Sequence, residues 1–189
     1  MVSFLLNNEK VNYEGDLKKS LLSFLRNDKH ITSVKDGCSG QAYCGACMVE
    51  INGEIKLSCV TKMEKLDSAE IITPEGIPDH IRDIIAKAFV EKGAVQCGFC
   101  TPGFIMRTKV LFQKNPMPSR EEIAGALNMN LCRCTGYIKI IDAIERAVRH
   151  LRENKAVTFS ETKAGIGSSY PKYQAYETAI GARKFVNDM

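Results

Sequence analysis

Eight cysteines are the clearest chemical signal in this 189-residue sequence. Because thiols inside cells stay reduced, grouped cysteines there more often mark metal binding or redox chemistry than disulfides. The cysteines divide evenly between two parts of the chain, which predicts two separate sites with four thiolate ligands each. The first set comprises Cys38, Cys44, Cys47 and Cys59, and the second comprises Cys97, Cys100, Cys132 and Cys134.

The first set has the spacing C-x5-C-x2-C-x11-C, whose first loop is one residue longer than in the plant-type ferredoxin spacing C-x4-C-x2-C. An Asn52-Gly53 turn would place Cys47 opposite Ser58 and beside Cys59, so two ligands meet at the base of a hairpin. Glycines flank the other two cysteines and would let backbone N–H groups approach the sulfur atoms. Such donors suit an anionic 2Fe-2S centre, with zinc as the main alternative. These glycines are Gly37, Gly40 and Gly45.

The second set lies before two predicted helices. Cys97 and Cys100 precede one helix start, and Cys132 and Cys134 precede another. Free N–H groups and the positive end of the helix dipole at such starts favour an anionic cluster. By spacing alone, zinc or a dithiol redox pair is an alternative, because C-x2-C before a helix is also the thioredoxin-like arrangement.

The elements that carry the first set are predicted in residues 1–73, a mostly β module with one helix. Period-2 runs on either side of Asn7-Asn8 and Asn52-Gly53 predict two hairpins. Between them, Asp16 can cap a helix whose apolar stripe ends near Leu25. A last short strand is expected at Glu70–Thr73.

The second set belongs to residues 74–155, where apolar residues recur with the helical period and predict four helices. Thr101 is expected to cap a helix with Pro102 at its first position, Ser119 and Glu122 form a capping box, and Thr135 can cap the fourth helix. Residues 156–189 have no sustained apolar stripe and are expected to form an extended linker rather than a third domain.

Composition excludes several classes of function. The chain is 44% hydrophobic and 25% charged, which is typical of globular proteins. Its net charge of +4 is too small to indicate nucleic-acid binding. No apolar run approaches the ~20 residues of a membrane span, and the N-terminal residues do not resemble a leader peptide. We therefore expect a cytoplasmic protein that binds neither membrane nor nucleic acid.

Two motifs carry a family resemblance. QCGFCTPG at 96–103 and NLCRCTGY at 130–137 resemble the iron-sulfur subunit or domain of the xanthine dehydrogenase and aldehyde oxidase family of molybdenum hydroxylases. The resemblance covers residues 1 to about 155 and includes CGAC at 44–47. It implies an α+β fold, with a β-grasp ferredoxin-like 2Fe-2S domain followed by an all-α four-helix 2Fe-2S domain.

The resemblance also implies a function. The chain would pass electrons from a molybdopterin cofactor, carried by a large partner subunit, through the second and then the first cysteine set to an FAD subunit or another acceptor. The Gln96 side-chain amide and Cys134 match family positions that hydrogen-bond the pterin. Substrate chemistry would lie in the partner, so no catalytic residue is expected here. The competing hypotheses are a free-standing ferredoxin-like carrier and a zinc-stabilised interaction module.

The end of the sequence has a resemblance of its own. Residues 165–189 are similar to the opening of the family's molybdenum-binding subunit, in which Gly-x-x-x-[FY] is followed by Asp. This implies that the chain is the N-terminal piece of a fused polypeptide. The alternative is a strap that lies on a partner subunit.

Overall fold

The computed structural model describes residues 1–159, 165–168 and 170–189, and has the predicted α+β class. Residues 1–73 contain a five-stranded sheet with the strand order β2-β1-β5-β3-β4. The central strands β1 and β5 are parallel, and the other pairs are antiparallel. The strands are β1 (Val2–Leu6), β2 (Glu9–Tyr13), β3 (Met48–Ile51), β4 (Glu54–Leu57) and β5 (Glu70–Ile72).

Both predicted hairpins are present, and their turns explain why. Asn7 and Asn8 have φ of 51° and 69°, and Asn52 and Gly53 have φ of 52° and 77°. Two consecutive left-handed residues are the requirement of a type I′ turn, whose twist matches the flanking strands. The second turn sets the register that pairs Met48 with Leu57.

The prediction that Asp16 caps the first helix was wrong. Helix α1 (Leu21–Ser23) starts after Ser20, whose Oγ accepts the Ser23 N–H at 3.2 Å, and it continues as a π-helical turn over Phe24–Asp28. The Asp16 carboxylate instead accepts the Lys18 N–H at 2.8 Å. Aspartate competes in this way for a local turn because its short side chain reaches backbone two residues on.

Residues 74–155 form the four predicted helices around a second core. The capping box of Ser119 and Glu122 is confirmed. Thr135 does not cap the last of these helices, because Tyr137 occupies that place with a left-handed φ of 70°, and Thr135 Oγ1 accepts the Tyr137 N–H at 3.3 Å. The helices are α2 (Asp79–Glu91), α3 (Thr101–Lys114), α4 (Arg120–Ala126) and α5 (Ile138–Glu153).

Strand β3 joins the two regions. All four of its residues are buried, because one face packs on the ferredoxin-like core and the other on α3. Glu50 in β3 forms an ion pair with Lys109 in α3, and each residue is only 4% exposed. Close by, a Cβ at Gly45 would lie 2.1 Å from the carbonyl oxygen of Met129. The two regions therefore meet in a buried, closely packed interface.

The described part of the tail packs on both regions. Residues Ala175–Ala179 form a short helix, α6, where an extended linker was expected. A Cβ at Gly98 would lie 2.0 Å from Thr178 Cγ2, so α6 sits directly on the loop of the second cysteine set. Further on, Asp188 bridges Lys35 at 2.5 Å and Arg26 at 2.9 Å. Of the segment resembling a molybdenum-binding subunit, residue 169 lies outside the described residues.

None of the helices in the described ranges is long and apolar enough to cross a membrane.

Candidate metal centres

The hairpin of β3 and β4 brings Cys47 and Cys59 together, as its register predicts. Ser58 lies opposite Cys47 and donates to its carbonyl oxygen through both the backbone N–H, at 3.2 Å, and Oγ, at 2.8 Å. Burial, with a smaller effect of the nearby Cys59 thiol, raises the pKa of the Cys47 thiol to about 12, although the Cys59 N–H opposes the shift. A metal must therefore displace a tightly held proton here.

The loop before β3 holds Cys38 and Cys44. Burial opposes ionisation of the Cys38 thiol, but N–H groups of Tyr43 and Cys44 outweigh it and lower its pKa. The Ala46 N–H likewise donates to the Cys44 sulfur. Backbone donors can reach these sulfurs because the loop takes a left-handed conformation at four of its residues. These are Ser39, Gly40, Ala42 and Gly45, with φ of 50°, 78°, 62° and 67°.

The second set is built on two helix entries. Cys100, and not the predicted Thr101, is the N-cap residue of α3, and burial raises the pKa of its thiol. Cys132 lies before α5, where its N–H donates to Tyr137 Oη at 2.9 Å and its Sγ lies 3.1 Å from Thr135 Oγ1. Burial opposes ionisation of Cys132, but the Thr135 hydroxyl and the Cys134 N–H outweigh it and lower the pKa.

Within each set the thiols meet in pairs. Direct side-chain interactions join two pairs in each region, and Coulombic interactions link one pair to the other. No three or more His, Cys, Asp or Glu side chains in the described ranges converge on a single metal ion. A 2Fe-2S centre requires two thiolates for each of its two irons and N–H donors to the sulfurs. The paired thiols and their backbone donors therefore fit a 2Fe-2S centre. The pairs are Cys38 with Cys44, Cys47 with Cys59, Cys97 with Cys134, and Cys100 with Cys132.

The two sets lie against each other. The Leu131 N–H, one residue before Cys132, donates to the Cys44 carbonyl oxygen at 2.9 Å. A Cβ placed on Gly37 would lie 3.2 Å from Cys44 Sγ and 3.2 Å from Cε1 of Phe99. Sequence reasoning missed Leu131 and Phe99, although both lie inside the two motifs that it singled out.

Gln96 lies where the second set reaches the surface. Its side chain is exposed, as are Cys97 and Cys134, and its carbonyl oxygen accepts a hydrogen bond from Lys172. Gln96 lines a groove of about 690 Å3 together with the last residues of α2, Lys92 that follows them, and residues of the tail. The structure thus brings the predicted pterin contacts to one open face of the molecule.

Comparison with known families divides the chain at the same place as its two cores. The family described as a 2Fe-2S iron-sulfur cluster binding domain matches residues 4–71, and the family described as a 2Fe-2S binding domain matches residues 73–145. The small FeS subunit of nicotinate dehydrogenase from Eubacterium barkeri is 45% identical over 148 residues, which cover 78% of this chain and 94% of that subunit.

Some longer relatives match more of the chain. The aldehyde oxidoreductase of Megalodesulfovibrio gigas is 37% identical over 97% of this chain, which spans only 21% of that protein. The structure of the Desulfovibrio desulfuricans aldehyde oxidoreductase superposes on 99% of this chain with a TM-score of 0.90 and 34% identity, and the match covers 22% of that protein. Quinoline 2-oxidoreductase from Pseudomonas putida superposes on 82% of this chain with a TM-score of 0.72 and 32% identity, covering 97% of the matched chain. The chain contains both iron-sulfur domain types and the paired thiols, and it is similar to these relatives. It therefore belongs to the 2Fe-2S subunits and domains of the molybdenum hydroxylase family.

Proposed function

We propose that this chain is the electron-transfer part of a molybdopterin-dependent hydroxylase or dehydrogenase. Electrons enter at the second cysteine set, pass to the first, and leave to FAD or another acceptor on a partner. Each set holds one 2Fe-2S centre, which supplies one-electron redox chemistry when bound. The substrate is oxidised in a molybdenum-binding partner subunit or fused domain, and this chain holds and spaces the two centres. The cytoplasmic location inferred from composition stays a prediction.

The observation that carries the proposal is the adjacency of the two cysteine sets. The Leu131 N–H donates to the Cys44 carbonyl oxygen at 2.9 Å. This hydrogen bond joins a predicted ligand of the first set to the residue that precedes Cys132 in the second set. The buried pair of Glu50 and Lys109 fixes the two domains around that contact. A chain that only used zinc to stabilise an interaction surface would have no need for two sites in such close contact.

The open side of the second set supports the direction of transfer. Cys97 and Cys134 are exposed, whereas Cys132 is buried and Cys100 is half-buried, so one thiol pair faces outward and the other faces the interior. The exposed Gln96 side chain is free to donate its amide to a pterin beside Cys134. We therefore assign this face to the molybdenum-binding partner and the loop that follows Cys38 to the acceptor side.

The first test is the content of iron, zinc and acid-labile sulfide in chain purified without oxygen, with EPR after dithionite reduction. We expect about four irons and about four sulfides per chain and two distinct S = 1/2 signals. Cys100→Ser should remove one signal and leave the other, and the reciprocal variant Cys59→Ser should remove the second. Together the two variants assign each signal to its cysteine set.

Other results would favour the competing functions. Zinc without sulfide or an EPR signal would replace electron transfer by a zinc-stabilised interaction module. Two EPR signals in a monomer that never co-purifies with a molybdenum protein would instead favour a free-standing carrier.

A further inference from the structure

Phe99 lies between two predicted ligands of the second set, Cys97 and Cys100. Its contacts extend to both cysteine sets. Its backbone N–H donates to the Cys97 sulfur. Its ring extends in the other direction, so that Cε1 lies 3.2 Å from the point where a Gly37 Cβ would stand, and Cys44 Sγ lies 3.2 Å from the same point. The absence of a side chain at Gly37 is what allows this ring to approach the first set.

The tail packs against this ring. Phe185 packs edge to face on Phe99, with ring centroids 5.2 Å apart and an interplanar angle of 77°. The Phe185 N–H donates to Asp188 Oδ2 at 2.9 Å, and the Lys35 ammonium lies 5.0 Å from the Phe185 ring centroid. Lys35 and Asp188 are themselves a buried ion pair. The Phe185 ring that supports Phe99, which we call the brace, is therefore anchored to the ferredoxin-like domain.

We infer that Phe99 is a positioning residue that shields the Cys44 sulfur from water and thereby lowers the reduction potential of the centre held by the first set. The inference rests on the proposed function. Reduction makes an iron-sulfur centre one charge more negative, and water stabilises the more highly charged state. An apolar ring that packs over Gly37 on the same side as a ligand sulfur therefore opposes reduction, in line with the known influence of solvent exposure and hydrogen bonds on such potentials.

The test is a redox titration followed by EPR on the full iron-loaded chain. Phe99→Leu should raise the reduction potential of the centre held by the first set. Phe99→Ala should raise it further, because alanine leaves less apolar volume to exclude water than leucine does. The matched control is Phe4→Leu, which also breaks an edge-to-face ring pair, with Phe24 at 5.7 Å, but lies in β1, separated from β3 by β5. That control should lower the melting temperature and leave both potentials unchanged.

Phe185→Leu keeps the loop of the second set intact and removes only the brace, so it should give a smaller upward shift. If the Phe99 variants lose iron, the reduction potential of Phe185→Leu tests the inference in their place. Unchanged potentials in iron-loaded Phe99→Leu and Phe185→Leu would overturn the inference while leaving electron transfer in place. A wild-type chain without iron and sulfide would instead overturn the proposed function itself.

Discussion

In the ferredoxin-like domain three of the four cysteines are buried and the fourth is half-buried, whereas in the helical domain Cys97 and Cys134 are exposed. The first set is enclosed by a sheet, a left-handed loop and the neighbouring domain. The second set lies at two helix starts and is exposed to solvent on one side. Similar thiol pairs are thus enclosed in one domain and presented in the other, which suits a chain that receives electrons on one face and passes them inward.

Replacing one ligand in each set should have the largest effect and would test this difference directly. Cys47→Ser and Cys134→Ser should each reduce iron from about four to about two per chain. Cys47 is 2% exposed, so its serine hydroxyl would be buried without an assured partner, which alone costs about 1 to 3 kcal/mol. We therefore expect a lower melting temperature for Cys47→Ser than for Cys134→Ser, and equal values would contradict the contrast in burial.

Loosening the interface between the domains should come next. Glu50→Gln leaves the Lys109 ammonium buried without its counter-ion, and removing one partner of a buried pair costs about 3 to 5 kcal/mol. Chemical denaturation would measure the loss. The double variant Glu50→Leu with Lys109→Met should recover most of it, because no charge then remains buried. A double variant as unstable as the single one would show that the pair itself is not the cause.

Breaking the buried ion pair in the tail by Asp188→Asn should destabilise the protein by about 3 kcal/mol at neutral pH, at the lower end of the cost of removing one partner of a buried pair. Burial lowers the pKa of Lys35 despite the attraction of Asp188, so the lysine can lose its proton when Asp188→Asn removes its partner. Burial opposes ionisation of Asp188, but Lys35 and the Phe185 N–H outweigh it and lower its pKa.

The sign of the pH dependence follows from that lowered carboxyl pKa. The stabilisation is complete above the unfolded-state pKa of about 3.9 and is lost as pH falls through the lower value of the folded protein. Unfolding curves of wild type and Asp188→Asn should therefore differ at neutral pH and converge in acid below about pH 4. A constant difference down to the lowest pH would contradict this assignment.

The smallest effect is expected for Glu54→Gln, the matched control for Glu50→Gln. Glu54 in β4 pairs with Lys114 in α3 at 2.6 Å across the same interface, but these side chains are 55% and 49% exposed. Solvent-exposed pairs contribute little, since water and salt screen them. The melting temperature should not change measurably, and a large drop would mean that charge rather than burial stabilises this interface.

The fold was largely predictable because its signals are local. The Asn-Gly turn, the capping box and the helical period of residues 74–155 act within a few residues of where they are read. The two helix caps assigned to Asp16 and Thr135 failed because each side chain found a nearer backbone partner. Such competition between local turns and helix starts is decided by small energy differences that the residue types alone do not resolve.

The contacts between the two domains and with the tail were not predictable. The run Met48–Ile51 does not alternate, which is a sign of a strand covered on both faces, yet nothing in it names Lys109 as the partner of Glu50. Phe99 was part of a recognised motif, but its neighbour Phe185 is far along the chain. The cysteine groupings themselves were evident because metal ligation imposes strict spacing, and their role as ligands stays a prediction.

The pairing of Lys35 with Asp188 spans 153 positions of the sequence. A loop of that length costs little more entropy to close than one half as long, so distance along the chain does not prevent the contact. What the contact requires is electrostatic, because burying an ammonium group without a counter-ion is costly. Dehydration of the Lys35 ammonium and docking of the end of the tail should therefore be gained or lost together, so that the tail acts as a cover for a charge of the ferredoxin-like domain.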